Sequence, residues 1–263
     1  MTYKKIFLPA IVLFLLSTST NLFAQFSAAI GPGTASYSGD VSGEKFRDIK
    51  PALNLELWYQ FNRNLYLKTG TSIYQIGASD IFEDRNRDFK STNFELYTSL
   101  MLGGDPSWRL MPFGYAGIGL TTNSTQYIMN SDQGEVFLDA KDLQTEAEDI
   151  PGATLIFPMG IGLKYKLNDR FSIVADGGLR FTNSDLIDGV STRSIDVSTL
   201  SAEAINYFET IRPDGINGAE TIGNGNPDKN DVYGMFSLKL LFNLNGKSSG
   251  KTNSMPCPPF YSY

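Results

Sequence analysis

Seven charged residues sit within stretches of alternating polarity: Glu56, Lys68, Glu95, Lys164, Asp176, Arg180 and Lys239. Acids and bases mixed in this way could relay protons, hold an ion or neutralise one another. Asp176 and Arg180 share one face of "RFSIVADGGLRFT", opposite Phe171, Ile173, Ala175, Gly177, Leu179 and Phe181. The 263 residues contain no histidine and a single cysteine, Cys257. That removes Ser-His-Asp hydrolysis, histidine metal centres and an internal disulfide framework. No Ser or Asp constellation takes the missing histidine's place, so no catalytic residue is assigned and the chain reads as a non-enzyme. A formal net charge of −6 argues against nucleic acid as a partner. No small-molecule substrate is expected.

The elements that carry these charges are runs of about ten residues alternating in polarity, the signature of a membrane-spanning strand. "ALNLELWYQF" places Leu53, Leu55, Leu57, Tyr59 and Phe61 against Asn54, Glu56, Trp58 and Gln60. "FELYTSLML", "FPMGIGLKYKL" and "MFSLKLLFNL" repeat the pattern, and "FSAAIGPGTASY", "NLYLKTGTSIY" and "PFGYAGIGL" add weaker copies. With the Arg170 strand the total is about eight, an even number as closed bacterial barrels require. Tight polar turns ("NRN", "GGDPSW", "LNDR") alternate with long connections near 38–51, 77–92, 121–154 and 183–231. The expected fold is therefore all-β: an eight-stranded antiparallel outer-membrane β-barrel with a packed polar lumen, short periplasmic turns and long extracellular loops.

With lipid on the apolar face, the seven charges point into a lumen that eight strands leave barely wide enough for side chains. Both signs are nearly balanced, and charges withdrawn from water must be paired. A lumen ionic network that plugs the barrel is the expectation, with a proton or ion path through the same groups as the alternative. Gly160, Gly162 and Gly178 are expected to make room for longer neighbours. Aromatic residues near strand ends (Tyr59, Phe61, Tyr66, Trp108, Phe113, Tyr233 and Phe242) are candidates for interfacial girdles.

The N-terminal "MTYKKIFLPAIVLFLLSTSTNLFAQ" reads as a signal peptide over 1–24, with Lys4 and Lys5 before an apolar run too short to span a bilayer comfortably. The barrel is assigned to 25–245. Residues 246–263 form a Gly/Ser/Lys linker and a "PCPPFYSY" end, a periplasmic tail in which Pro256, Cys257, Pro258, Phe260 and Tyr261 could dock a partner. The turn residues Arg63, Trp108 and Arg170 lie on the same side. The two longest loops are acidic and are expected to be solvated and outward-facing. No cofactor is expected; calcium in these acidic loops is a lesser alternative, because no stretch has a dedicated ligand spacing. "STLSAEAINYFETI" could form a short helix capped by Ser201.

Four stretches carry a family resemblance: "SYSGDVSG", "GIGLKYKLNDRFSI", "GLRFTNSDLIDGVS" and "GNPDKNDVYGMFSLKL", with a Cys-Pro near the C-terminus. In these the chain resembles the PorG-like outer-membrane β-barrel of the type IX (Por) secretion system of Bacteroidetes. The resemblance implies a non-enzymatic membrane anchor, surrounded by outer-membrane lipid, that docks or assembles periplasmic ring subunits of a secretion machine. A stand-alone structural barrel, an accessory subunit of another outer-membrane complex and a narrow small-solute channel are the alternatives.

Overall fold

The computed structural model describes residues 26–41, 48–80, 86–131, 134–143, 145–146, 149–212, 215–216, 218–223 and 225–244. The signal peptide assigned to 1–24 and the tail assigned to 246–263 lie outside these residues. So do the tail positions Pro256, Cys257, Pro258, Phe260 and Tyr261.

Eight long strands form the barrel: β1 (Phe26–Ser38), β2 (Ile49–Gln60), β3 (Leu65–Ser79), β4 (Asp88–Gly103), β5 (Leu110–Thr122), β8 (Ala153–Lys166), β9 (Phe171–Thr182) and β12 (Val232–Asn243). Each pairs antiparallel with the next in this order, and β12 returns to β1, so the sheet closes and leaves no barrel edge. Alternation fixes the register, since a slip of one residue would turn every apolar side chain inward. Leu53, Leu55 and Leu57 of β2, Leu96, Leu100 and Leu102 of β4, and Phe236, Leu238 and Leu240 of β12 all point outward and are exposed. Their neighbours in sequence are buried inside the barrel. No described helix is long and apolar enough to cross a membrane, so crossing falls to the strands.

Three short turns close one end of the barrel, and in each a side chain organises the backbone. Asn62 Oδ1 accepts from the N–H groups of Asn64 and Leu65 at 3.0 and 2.9 Å. Asn168 Oδ1 does the same for Arg170 and Phe171 at 2.9 and 2.8 Å. Asp105 Oδ1 accepts from Ser107 N–H at 2.9 Å. Asn and Asp suit these positions because a short acceptor can replace a missing backbone partner.

The long connections build a second structure at the other end. β6 (Thr125–Ser131) continues β5 along β4, pairing Asp88 with Ile128 and Ser91 with Thr125, and then turns back as β7 (Gly134–Asp139). A single helical turn, α1 (Ala140–Leu143), follows. The last loop contributes the pair β10 (Ser194–Asp196) and β11 (Thr221–Gly223) and the helix α2 (Ala202–Ile211). The Ser201 side chain accepts from Ala204 N–H at 3.1 Å, which caps α2 as the sequence suggested.

These connections are not simply solvated, contrary to the sequence-based expectation. Ala204, Tyr207, Phe208 and Ile211 of α2 are buried with Ile187, Val190, Ile195 and Ile222 over the barrel's open end. Tyr127 stacks on Tyr207 with ring centroids 5.3 Å apart and donates to Gly189 O at 2.5 Å. The overall acidity of the loops concealed an amphipathic helix whose apolar residues recur at helical spacing. That face finds its core over the barrel mouth.

Candidate functional site

The lumen is filled in tiers. Nearest the short turns lies an apolar plug of Trp58, Tyr66, Met101, Met111, Phe113 and Leu241, all buried. Trp58 meets Phe113 edge-on at 5.5 Å between centroids. Gly162 faces Phe113, and a Cβ there would come within 2.3 Å of the ring. Gly160 and Gly178 make the same allowance for the Tyr115 hydroxyl, each with a 2.6 Å approach. The inward glycines therefore exist to admit large rings from the strand across the lumen or beside them.

Above this plug sits an ionic tier. Glu56 of β2 contacts Lys68 of β3 at 3.2 Å and Lys239 of β12 at 2.5 Å. Asp176 of β9 contacts the same two lysines, each at 2.8 Å. Two carboxylates and two ammonium groups thus close a neutral ring across the barrel. The ring is finished by neutral donors: Trp58 Nε1 and Tyr97 Oη donate to Glu56 at 2.8 and 2.7 Å, and the Ser237 hydroxyl donates to Asp176. Lys68 Nζ also lies 3.7 Å from the centroid of the Tyr115 ring. Arg180 and Glu95 form a separate pair at 3.3 Å, with Tyr233 donating to Glu95 at 2.8 Å. All six charged side chains are at most 4 % exposed. Burial on this scale is tolerable only because each charge has an opposite partner and further hydrogen bonds.

Asp176 and Arg180, four residues apart on one strand face, therefore do not serve each other; each pairs across the lumen. Lys164 departs from the expected network. It points inward level with Met111 and Val174, is half-buried, and makes no ion pair with the described residues. It sits two residues nearer the short-turn rim than Gly162, the residue that faces Asp176.

The expected girdle divides in two. Tyr59 and Phe61 pack together at the short-turn rim at 5.0 Å, with Phe26 at 4.8 Å from Tyr59, and Phe171 meets Phe242 at 5.4 Å. Trp108 is 54 % exposed. Tyr66, Phe113 and Tyr233 are instead buried in the lumen. Strand parity was the signal that places them: Tyr66 shares the face of Lys68, and Tyr233 that of Ser237 and Lys239.

On the short-turn face, Arg63 binds Asp105 across two turns, while Lys166 pairs with Asp169 at 2.8 Å. Hydrogen bonds from Ser107, and then the Arg63 guanidinium, hold the Asp105 carboxyl below the usual range. Arg63, Trp108 and Arg170 are all exposed there. At the opposite end, Asp185, Asp188 and Asp231 are buried beneath the loops, a cluster that sequence reading placed in solvent. Among the described residues no group of three or more acidic or cysteine side chains has the arrangement of a metal site.

A closed eight-stranded antiparallel barrel, apolar outside and filled with paired charge inside, defines an integral outer-membrane protein. The chain belongs to the family described as the outer membrane protein beta-barrel domain, whose pattern matches residues 6–203. Among solved structures it is similar to Neisserial surface protein A (11 % identity, 83 % of this chain and 96 % of that one, TM-score 0.43). It is similar also to OprG of Pseudomonas aeruginosa (13 %, 83 % and 95 %, TM-score 0.44) and to Ail of Yersinia pestis (13 %, 83 % and 97 %, TM-score 0.41). No curated protein matches it.

Proposed function

We propose that this barrel is a non-enzymatic anchor in the outer membrane that docks or assembles a periplasmic ring of the type IX secretion machinery. In this reading the short turns and both termini are periplasmic and the long loops extracellular. The observation that carries it is the lumen: an aromatic plug and a neutral ionic ring occupy the space a conduit would need. A barrel that moves nothing through itself acts by what it holds at its faces. Arg63, Trp108 and Arg170 offer a cationic and aromatic surface suited to a partner, and the Pro-rich tail offers a low-entropy docking peptide. The choice of a type IX ring rests on the sequence resemblance.

Co-purification in native detergent tests the reading, comparing the full chain with a truncation ending at Gly246. Ring subunits recovered with the full chain but not the truncation place the docking in the tail. Recovery with both places it in the turns. Recovery with neither overturns the anchor reading and leaves a stand-alone structural barrel. Discrete conductance steps in planar bilayers would overturn the sealed lumen.

A further inference from the structure

Among the described residues, Asp185, Asp188 and Asp231 under the loop cap make no ion pair with a lysine or arginine. Tyr37 Oη lies between two carboxylates, 2.6 Å from Asp188 Oδ2 and in a shorter contact with Asp231 Oδ1. A phenol carries one proton, so it can donate to only one of them. The second contact requires a proton on a carboxyl group. The remaining acceptor positions are taken by loop backbone: Val190 N–H donates to Asp188 Oδ1 at 2.9 Å, Val41 N–H to Asp188 Oδ2 at 3.2 Å, and Ile187 N–H to Asp231 Oδ2 at 2.9 Å. The same acids therefore tie the loop after β9 to β1 and to the residue before β12.

Asp185 completes the cluster. It is 7 % exposed, and neither of its carboxylate oxygens makes a hydrogen bond of normal geometry. The charged and titratable groups facing the cluster are mostly acidic. Asp40 follows β1, Glu146 lies before β8 and accepts from Ser191 and Thr192 N–H, and Tyr127 comes from β6. Among the described residues Arg87 is the nearby base, and Asp80 holds it at 3.0 Å.

We propose that protons held by Asp185, Asp188 and Asp231 lock the loop cap shut, so that raising the pH loosens the loop around Ile187 and Val190 while the barrel beneath stays closed. Burial, then Asp40 and Asp188, push the Asp185 carboxyl up to about 8. Burial also pushes Asp188 upward, and burial with Asp188 does the same to Asp231. Groups whose pKa is raised on closure stabilise the closed cap fully below the ordinary carboxylate value of 3.8. That contribution is lost as pH climbs through the raised value near 8.

Hydrogen exchange of the full-length protein in lipid vesicles reads the lock directly. The Ile187 and Val190 amides, corrected for the intrinsic effect of pH on exchange, should lose protection between roughly pH 4 and 8, the interval between the ordinary and raised carboxyl values. The loss should reach about tenfold per pH unit for each proton released. Amides of β9 should not change. The D185N/D231N variant should hold its cap protection across the same range, with D185N alone showing a reduced slope. Unchanged protection in the wild type overturns the lock without reference to any variant. A wild-type slope in a folded D185N/D231N protein overturns the assignment to these carboxyls. Restoration of protection at the alkaline end by calcium alone would make the occupant a metal ion, and the proton lock would fall.

Discussion

The barrel lumen and the loop cap both bury carboxylates, and they neutralise them in opposite ways. In the lumen, Glu56 and Asp176 face Lys68 and Lys239, and Glu95 faces Arg180, so every acid has a base from another strand. Under the cap, Asp185, Asp188 and Asp231 face one another, a tyrosine and loop amides. A rigid sheet can position long cationic side chains from strands on opposite walls. Under the cap, loop amides instead lie close to short Asp side chains. The ionic ring should therefore be insensitive to pH near neutrality, whereas the cap should respond to it.

The strongest test of that contrast is to remove one charge from each region. Glu56→Gln leaves Lys68 and Lys239 sharing a single acid in the lumen and should cost about 3–5 kcal/mol, as losing one member of a buried ion pair does. Urea unfolding from lipid vesicles would measure it, and a loss under about 1 kcal/mol would show that water reaches the ring. The corresponding change under the cap, Asp185→Asn, should already stabilise the cap somewhat at pH 6, because the wild-type contribution begins to fall above pH 3.8. Near pH 9 it should stabilise the cap relative to wild type by up to about 1.4 kcal/mol per pH unit of titration avoided. The same unfolding assay at the two pH values checks this, and a large loss at pH 6 would mean that Asp185 serves as a charge. The smallest effect falls on the cap's own framework. Ser201→Ala removes the α2 cap and should weaken that helix by about 1 kcal/mol. The Ala204 amide should then exchange faster, with the β9 amides unaffected.

The strand pattern was legible because a lipid-facing wall and a filled lumen impose a period of two on every crossing. Leu53, Leu55 and Leu57 announce the outer face, and Glu56 between them announces the lumen. The aromatic character of Tyr66, Phe113 and Tyr233 alone suggests a girdle, and the structure buries them in the lumen on the face their parity shares with the charges. Loop residues have no such period. "NSDLIDG" holds two aspartates that look solvent-bound in sequence, yet Asp185 and Asp188 are buried because α2 and Ile187 draw the loop down over the barrel mouth.

The sequence by itself determined the closed barrel, its eight crossings, the sign and facing of its lumen charges, and the helix after Ser201. Each follows from local periodicity or a local cap, which neighbours in the chain specify. Only the tertiary structure decided which charges meet. Asp176 bonds to lysines of β3 and β12 rather than to Arg180 on its own strand, and Lys164 stands outside the ring. Those outcomes depend on strand register and tilt around a closed cylinder, which set how residues distant in sequence align in height. The buried acids of the cap depend on it even more, because their environment is assembled from Tyr37, Asp188 and Asp231, which meet only when the last strand closes on the first.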